Sequence, residues 1–358
     1  MNAPRTLATY RLLGRSGLRV SPLALGAMTF GTDWGWGSDA AETRRIVDAY
    51  VDRGGNFIDT ANNYTNGTSE QLVGDCAAGR RDRLVLATKY TLTTRPGDPN
   101  SGGNHRKSMI QSVETSLRRL RTDYIDLLYL HAWDGTTPVD EIARALDDLV
   151  RQGKVLYAGI SDTPAWQVAR LQTIADLRGW APLVALQIEY SLIERTVERD
   201  LVPMARELGL GVVPWSPLGS GVLTGKYTEA DLDAGQGDSG PAGTRKNVAA
   251  ANGALTRRSL AIASVVKDVA REIDQSPSRV AIAWALTQPG VTSPIIGART
   301  LAQLEENLGA LDVVLSDAHR QRLDEASRVE PGFPHAFLAL PMVRHVMFGD
   351  VRIEPRAG

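Results

Sequence analysis

Eight short runs rich in Val, Ile and Leu, each followed by a longer amphipathic stretch, constrain this 358-residue chain more than any other feature. The runs are Leu23–Gly26, Phe57–Thr60, Leu84–Lys89, Ile125–His131, Leu156–Asp162, Leu183–Tyr190, Gly211–Ser216 and Ser293–Gly297. A near-continuous apolar run marks a strand buried on both faces, and regular alternation with helical stretches is how βα units look in sequence. Helix starts are marked by Ser38-Asp39, Ser69, Asp162-Thr163-Pro164 and Arg299-Thr300, residues suited to N-cap or first-turn positions. Pro277–Gln288 reads as a further short helix capped by Ser276. Eight repeats with short connections predict an α/β chain folded as a single (β/α)8 TIM barrel, in preference to an open doubly wound sheet. Three additions to a minimal barrel are expected. One is an N-terminal hairpin over about Tyr10–Val20. The second is a long loop after the seventh strand, between Trp215 and about Arg258, whose DAGQGDSGPAG string reads as a lid or as disorder. The third is a tail, 328–358, beyond a core of about 12–327. It is too broken by Pro and Gly for one helix and too apolar to be freely solvated, so it reads as a strap over a barrel helix or as a wall of the barrel mouth. No linker divides the chain, and 1–358 reads as one domain.

Charge narrows the partners. The 40 Lys+Arg and 41 Asp+Glu leave a net charge of -1, which does not suit wholesale phosphate neutralisation, so a small molecule is expected and nucleic acid is not. The one cysteine, Cys76, leaves no intramolecular disulfide and no Cys-rich zinc site, and no metal chemistry is signalled. The N-terminal stretch carries Pro4 and scattered arginines where a signal peptide would be apolar, and no run approaches the roughly 20 apolar residues of a membrane span. A cytoplasmic protein is expected. The oligomeric state is not legible.

In a barrel, reactive groups sit at the C-terminal ends of the strands. Here those ends carry Asp59, Lys89, His131, Ser161-Asp162, Gln187 and Trp215-Ser216. Singly, each has a plain structural explanation: an aspartate caps a turn, a histidine satisfies itself in a core. A lysine aimed into a desolvated barrel end is harder to dismiss, because buried lysines are rarely unpaired, and Asp59 is its natural partner. Trp34 and Trp36, set among glycines after the first strand, read as an apolar mouth for substrate or as packing on the hairpin.

These residues also carry a resemblance. Phe57-Ile58-Asp59-Thr60-Ala61 followed by Tyr64, then Ala87-Thr88-Lys89, Leu127 to His131, Gly159-Ile160-Ser161, Gln187 and Pro214-Trp215-Ser216-Pro217-Leu218 resemble the aldo-keto reductases in order and context. Pro294 to Thr300, with Gln303, Glu306 and Asn307, extends the similarity, which runs from about Leu12 to Ser327. The Trp-Ser-Pro-Leu and Gly-Ala-Arg-Thr strings resemble the branch that includes bacterial oxidoreductases and the beta subunits of voltage-gated potassium channels.

The resemblance implies a catalytic tetrad of Asp59, Tyr64, Lys89 and His131. Reducing a carbonyl needs a hydride at carbon and a proton at the developing alkoxide, and a free phenol with a pKa of about 10 is a weak acid. On this reading Lys89 lowers the Tyr64 pKa toward working pH, Asp59 keeps the ammonium charged, and His131 orients the carbonyl oxygen. The hydride must come from a cofactor. By the same resemblance Ser161, Asp162 and Gln187 hold a nicotinamide carboxamide, Trp215 stacks on the ring, and Gly26, Ala27, Met28 and Asp59 lie beside it. Ser216, Pro217, Leu218, Gly219, Ser220, Gly221 and Lys226 correspond to a pyrophosphate loop, and Gly297, Arg299, Gln303, Glu306 and Asn307 to the adenosine end. An arginine at a helix N-terminus opposes the dipole and so argues for an anionic partner, and a fixed guanidinium suits a 2′-phosphate, which favours NADPH over NADH. The string from Gly219 to Lys226 is not a P-loop, since its frame opens on Ser220 and Tyr227 follows the lysine. One departure stands out: many relatives carry Asn where this chain has Asp162, which either accepts from the carboxamide or caps the helix near Pro164.

The expected function is NADPH-dependent reduction of aldehydes or ketones to alcohols. The rival in another class is a cofactor-binding regulatory subunit resembling the channel beta subunits. A Schiff-base aldolase built on Lys89 leaves Tyr64 and Arg299 without a purpose.

Overall fold

The computed structural model describes residues 5–234 and 249–354. Strands β1 (Arg11–Leu12) and β2 (Arg19–Val20) pair antiparallel as the expected hairpin. Eight parallel strands follow: β3 (Ala24–Gly26), β4 (Phe57–Asp59), β5 (Val85–Tyr90), β6 (Ile125–Leu130), β7 (Val155–Ser161), β8 (Leu183–Glu189), β9 (Gly211–Trp215) and β10 (Ile295–Gly297). Their spatial order is β10-β3-β4-β5-β6-β7-β8-β9. The seam between β9 and β10 is stitched by a Val212–Val291 bridge, in which Val212 N donates to Gly290 O and Thr292 N to Val212 O. The sheet is therefore a nearly closed (β/α)8 barrel, as the strand runs predict.

Two apolar layers follow from strands buried on both faces. Inside the barrel, Ala24, Phe57, Val85, Ala87, Leu127, Tyr129, Val184, Ala185, Val213 and Ile295 form one cluster, which Leu13 and Val20 of the hairpin join. The hairpin thus plugs the end of the barrel opposite the site. Arg15 N donates to Gly209 O at 2.7 Å, and at Gly14 a Cβ would lie 2.3 Å from Val184 O, so that turn admits only glycine. Outside, helices bury one stripe each: in Val139–Arg151 the buried residues include Val139, Ile142, Ala143, Leu146 and Leu149, the spacing of a single helical face.

Asp39, Ser276 and Thr300 cap their helices, accepting from Glu42 N, Arg279 N and Gln303 N. Ser69 lies in the first turn of helix Thr68–Ala77, as read, with its Oγ turned inward to Ala27 O. One reading of Asp162 is corrected. Helix Ala165–Arg178 has Pro164 at its cap with no side-chain bond, so Asp162 is not its cap. The first turn takes its bond from the backbone instead, Gln167 N donating to Pro164 O at 2.9 Å.

The loop after β9 opens with a 3-10 turn, Gly219–Thr224, and a short helix, Ala230–Ala234. Most of the DAGQGDSGPAG string lies outside the described residues. Among the residues described again from 249 onward, helix Arg257–Glu272 opens with a Thr256/Ser259 capping box. The tail forms helices His335–Leu338 and Pro341–Phe348. It is tied to the barrel's flank where Arg199 Nε donates to Glu330 O, His335 meets Asp200 at 3.0 Å, and Arg258 donates to Ser327 O. None of its described residues lines the barrel mouth. The expectation that its apolar side chains are covered is corrected: Phe333, Met342, Val346 and Val351 are exposed, and in its two helices only Val343 is buried, because those helices pack on each other more than on the barrel. Among the described residues no helix is long and apolar enough to cross a membrane.

Candidate active site

Parallel register brings the strand ends together. Gly26 pairs with Asp59, Lys89 with Tyr129, Ser161 with Gln187, and Glu189 with Trp215, while His131 follows β6 directly. The Lys89 ammonium, buried, donates to Asp59 Oδ1 at 2.5 Å, Thr60 O at 2.9 Å and Tyr64 OH at 3.3 Å. Gln187 Nε2 donates to the other Asp59 oxygen at 2.9 Å. Tyr64 stands edge-on to His131, ring centroids 5.7 Å apart. Four residues separated by up to 72 positions in the chain (59 to 131) are thereby in mutual contact or one neighbour apart.

Tyr64 is held by a strained loop. After it, Thr65 and Asn66 adopt φ of 43° and 57°, and Gly67 of 98°, a run that few side chains tolerate. The loop is pinned from outside: Thr65 Oγ1 donates to Phe30 O, and Arg119 donates to Asn62 O at 2.7 Å while pairing with Glu70 at 3.1 Å. Glu70 is fully buried and also accepts from Thr88 Oγ1. Glycine at 67 follows from its φ of 98°, and a Cβ there would in addition push against the Arg119 guanidinium, 2.3 Å away.

Electrostatics amend the sequence reading. Burial pushes the Tyr64 phenol above its ordinary value, and Lys89 opposes this without overcoming it, so the phenol stays protonated. Burial pulls the Lys89 ammonium down, but Asp59 and Tyr64 together outweigh it and hold the group charged. His131 is pushed down to about 3 by burial and by Lys89, so the imidazole is neutral. Its Nδ1 is buried without a hydrogen-bond partner among the described residues, and Ser161 Oγ is buried with no partner of good geometry among them.

A cleft of about 640 Å³ opens above these groups. Of the residues singled out from the sequence, Gly26, Met28, Trp34, Asp59, Tyr64, His131, Ser161, Asp162, Gln187, Trp215, Ser216, Pro217, Leu218, Ser220, Gly221, Lys226, Gly297, Arg299, Gln303, Glu306 and Asn307 line it. Four do not. Lys89 sits behind Tyr64. Ala27 and Gly219 are buried in the wall, and Trp36 stands back against Trp34, ring centroids 5.9 Å apart. Asn63, Leu92, Asn252, Ser278 and Ile282 line the cleft without having been expected. Asn252 donates to Ser220 Oγ at 2.8 Å and so clips the far side of the long insertion to the turn after β9.

That turn places Ser216, Gly219, Ser220 and Gly221 all at positive φ, a backbone shape that forms anion-binding concavities. Its amides are engaged within the loop, Ser220 N on Ser216 Oγ and Gly221 N on Leu218 O. At the opposite wall Arg299 N is held by Gln303 Oε1, Asn307 Nδ2 by Gly297 O, and Glu306 is taken by Ser276 and Arg279.

Asp162, at φ 38°, accepts from Trp215 Nε1 at 3.1 Å. Its carboxyl is pushed up by burial, against the pull of that indole. Glu189 nearby is pushed up to about 7 by burial and by Glu194 and Asp162. An acid inside a strand run had no distinguishing mark in the sequence.

Residues 22–328 match the model of the Aldo/keto reductase family. The chain is 38% identical to a norsolorinic acid reductase of Aspergillus flavus, over 94% of this chain and 85% of that protein. It is likewise 38% identical to an aryl-alcohol dehydrogenase [NADP(+)] of Phanerodontia chrysosporium, over 97% and 90%.

Proposed function

Because the chain belongs to the aldo/keto reductase family and is an oxidoreductase, we propose that it reduces aldehydes or ketones to alcohols with NADPH, Tyr64 serving as the acid. The observation that carries this is the Tyr64–Lys89–Asp59 chain at the base of the cleft, beside a neutral His131. A protonated phenol has a proton to give. The Lys89 ammonium, 3.3 Å away, stabilises the phenolate left behind, and Asp59 holds that charge in place. Neutral His131 offers a hydrogen bond to the carbonyl oxygen without competing as an acid.

The bound cofactor supplies the hydride. The donor set fits it: Ser161 Oγ lies buried at the cleft wall with no partner of good geometry among the described residues, Gln187 and Asp162 are beside it, and Trp215 lines the same wall with an aromatic ring. Lys226 and Arg299 add positive potential near the positive-φ turn and the opposite wall. Arg299 supports NADPH over NADH, because a guanidinium pairs with a phosphate dianion in two directions at once.

Trp34, Leu92 and Trp215 make part of the mouth apolar and aromatic, which suits an aryl carbonyl, and one relative is named for aryl alcohols. The test is a panel of aromatic and aliphatic aldehydes and ketones with NADPH consumption as the readout. Steady turnover favouring aryl substrates, and NADPH over NADH, is expected. Cofactor binding without turnover on any carbonyl would leave the protein a cofactor sensor and overturn the reading.

A further inference from the structure

We propose that Asp162 makes this protein discriminate between the two redox states of its cofactor, binding the oxidised, cationic nicotinamide more tightly than the reduced, neutral one. The inference rests on the cofactor reading above. On that reading, which follows the family resemblance, the reactive ring lies against Ser161, Asp162, Gln187 and Trp215, and these line the same cleft as Tyr64 and His131.

Within those walls the charges are unevenly matched. Lys89 is neutralised by Asp59 at 2.5 Å and lies behind the wall. Asp162 is neither a helix cap nor a member of any ion pair among the described residues; the neutral indole of Trp215 and the Ser161 hydroxyl are its side-chain partners, and Lys89 acts on it only from a distance. Glu189, next in register to Trp215, adds acid to the same side. A pyridinium and a dihydropyridine differ by one positive charge, and a carboxylate distinguishes them by Coulomb energy. Because solvent reaches Asp162 through the cleft, the expected discrimination is moderate, about 5- to 30-fold in the ratio of dissociation constants.

Each tenfold in that ratio lowers the midpoint of the bound two-electron couple by about 30 mV. The bound reduced cofactor becomes a stronger hydride donor, and the oxidised cofactor leaves more slowly. The aspartate therefore trades release for driving force.

The backbone makes the test clean. At φ 38° asparagine is at ease, and it keeps an oxygen for the Trp215 N–H, so Asp162→Asn removes the charge and little else. NADP+ and NADPH are each titrated into the wild type, Asp162→Asn and Asp162→Ser, by tryptophan fluorescence or calorimetry, with a melting curve for each variant. In Asp162→Asn the NADP+ dissociation constant should rise about 5- to 30-fold while that for NADPH stays within about threefold. Asp162→Ser, which also lacks the charge, should move the ratio the same way and serves if the first variant fails to fold. An unmoved ratio, or parallel weakening of both cofactors, in protein that binds them overturns the charge assignment alone. A wild type that binds neither cofactor overturns the proposed function, and this inference with it.

Discussion

Tyr64→Phe removes one oxygen from the site, and with it the hydroxyl that both meets Lys89 and faces the cleft. Turnover should fall by at least ~10²-fold with the NADPH dissociation constant nearly unchanged, as single-turnover and binding measurements would report. Near-wild-type turnover would remove Tyr64 from the chemistry. His131 makes a separate prediction about pH. Its imidazole is neutral in the fold, held down to about 3, whereas the unfolded chain protonates it near pH 6.5. Below that pH the unfolded state binds the extra proton, so the stability due to neutral His131 is present above about pH 6.5 and lost as pH falls toward 3. His131→Asn should flatten that part of the stability profile in urea titrations across pH 3 to 7; an unchanged slope would mean the imidazole charges within the fold. Asp59, Lys89, His131 and Gln187 were legible because strand ends face one place in a barrel. Asn252 and Ser278 were not, since nothing in their local sequence marks a helix turn that reaches the cleft. The direction of the Tyr64 shift was also hidden, because desolvation belongs to the assembled walls and not to the Lys–Tyr pair.

Two helices, Thr68–Ala77 and Arg106–Leu120, fix the loop that carries the phenol, through Glu70 and Arg119. Arg119→Met strands a fully buried carboxylate and releases the Asn62 carbonyl. Breaking such a pair costs about 3–5 kcal/mol. The variant should therefore melt well below the wild type, and at temperatures where it remains folded it should show lowered kcat with NADPH affinity retained, because Arg119 touches the Tyr64 loop and not the cleft walls. A variant of unchanged stability would show that Glu70 finds another partner. Elements were the most legible scale: the eight strands and the caps at Asp39, Ser276 and Thr300 follow from local pattern. Asp162 left two readings open because it is a cap-type residue beside a helix start whose side chain answers to a tertiary neighbour, the Trp215 indole.

At the scale of the molecule, the strap and the cleft are independent. Truncation after Arg328 removes helices His335–Leu338 and Pro341–Phe348 with their contacts to Arg199 and Asp200, yet touches no residue of the cleft. Turnover and cofactor affinity should stay within about twofold, as steady-state assays would check. A larger loss would mean that the strap holds β9 in place from outside. The hairpin is different. Leu13 and Val20 belong to the inner core, and Arg15 grips Gly209, so the first strands of the chain dock against its seventh barrel strand. During synthesis the plug leaves the ribosome long before its socket exists. Its apolar residues wait in the nascent chain until β9 has been made, and the barrel cannot seal until then. The hairpin therefore docks only once the seventh barrel strand has been made, and a rigid fusion close to it would obstruct that docking while leaving the residues of the cleft untouched.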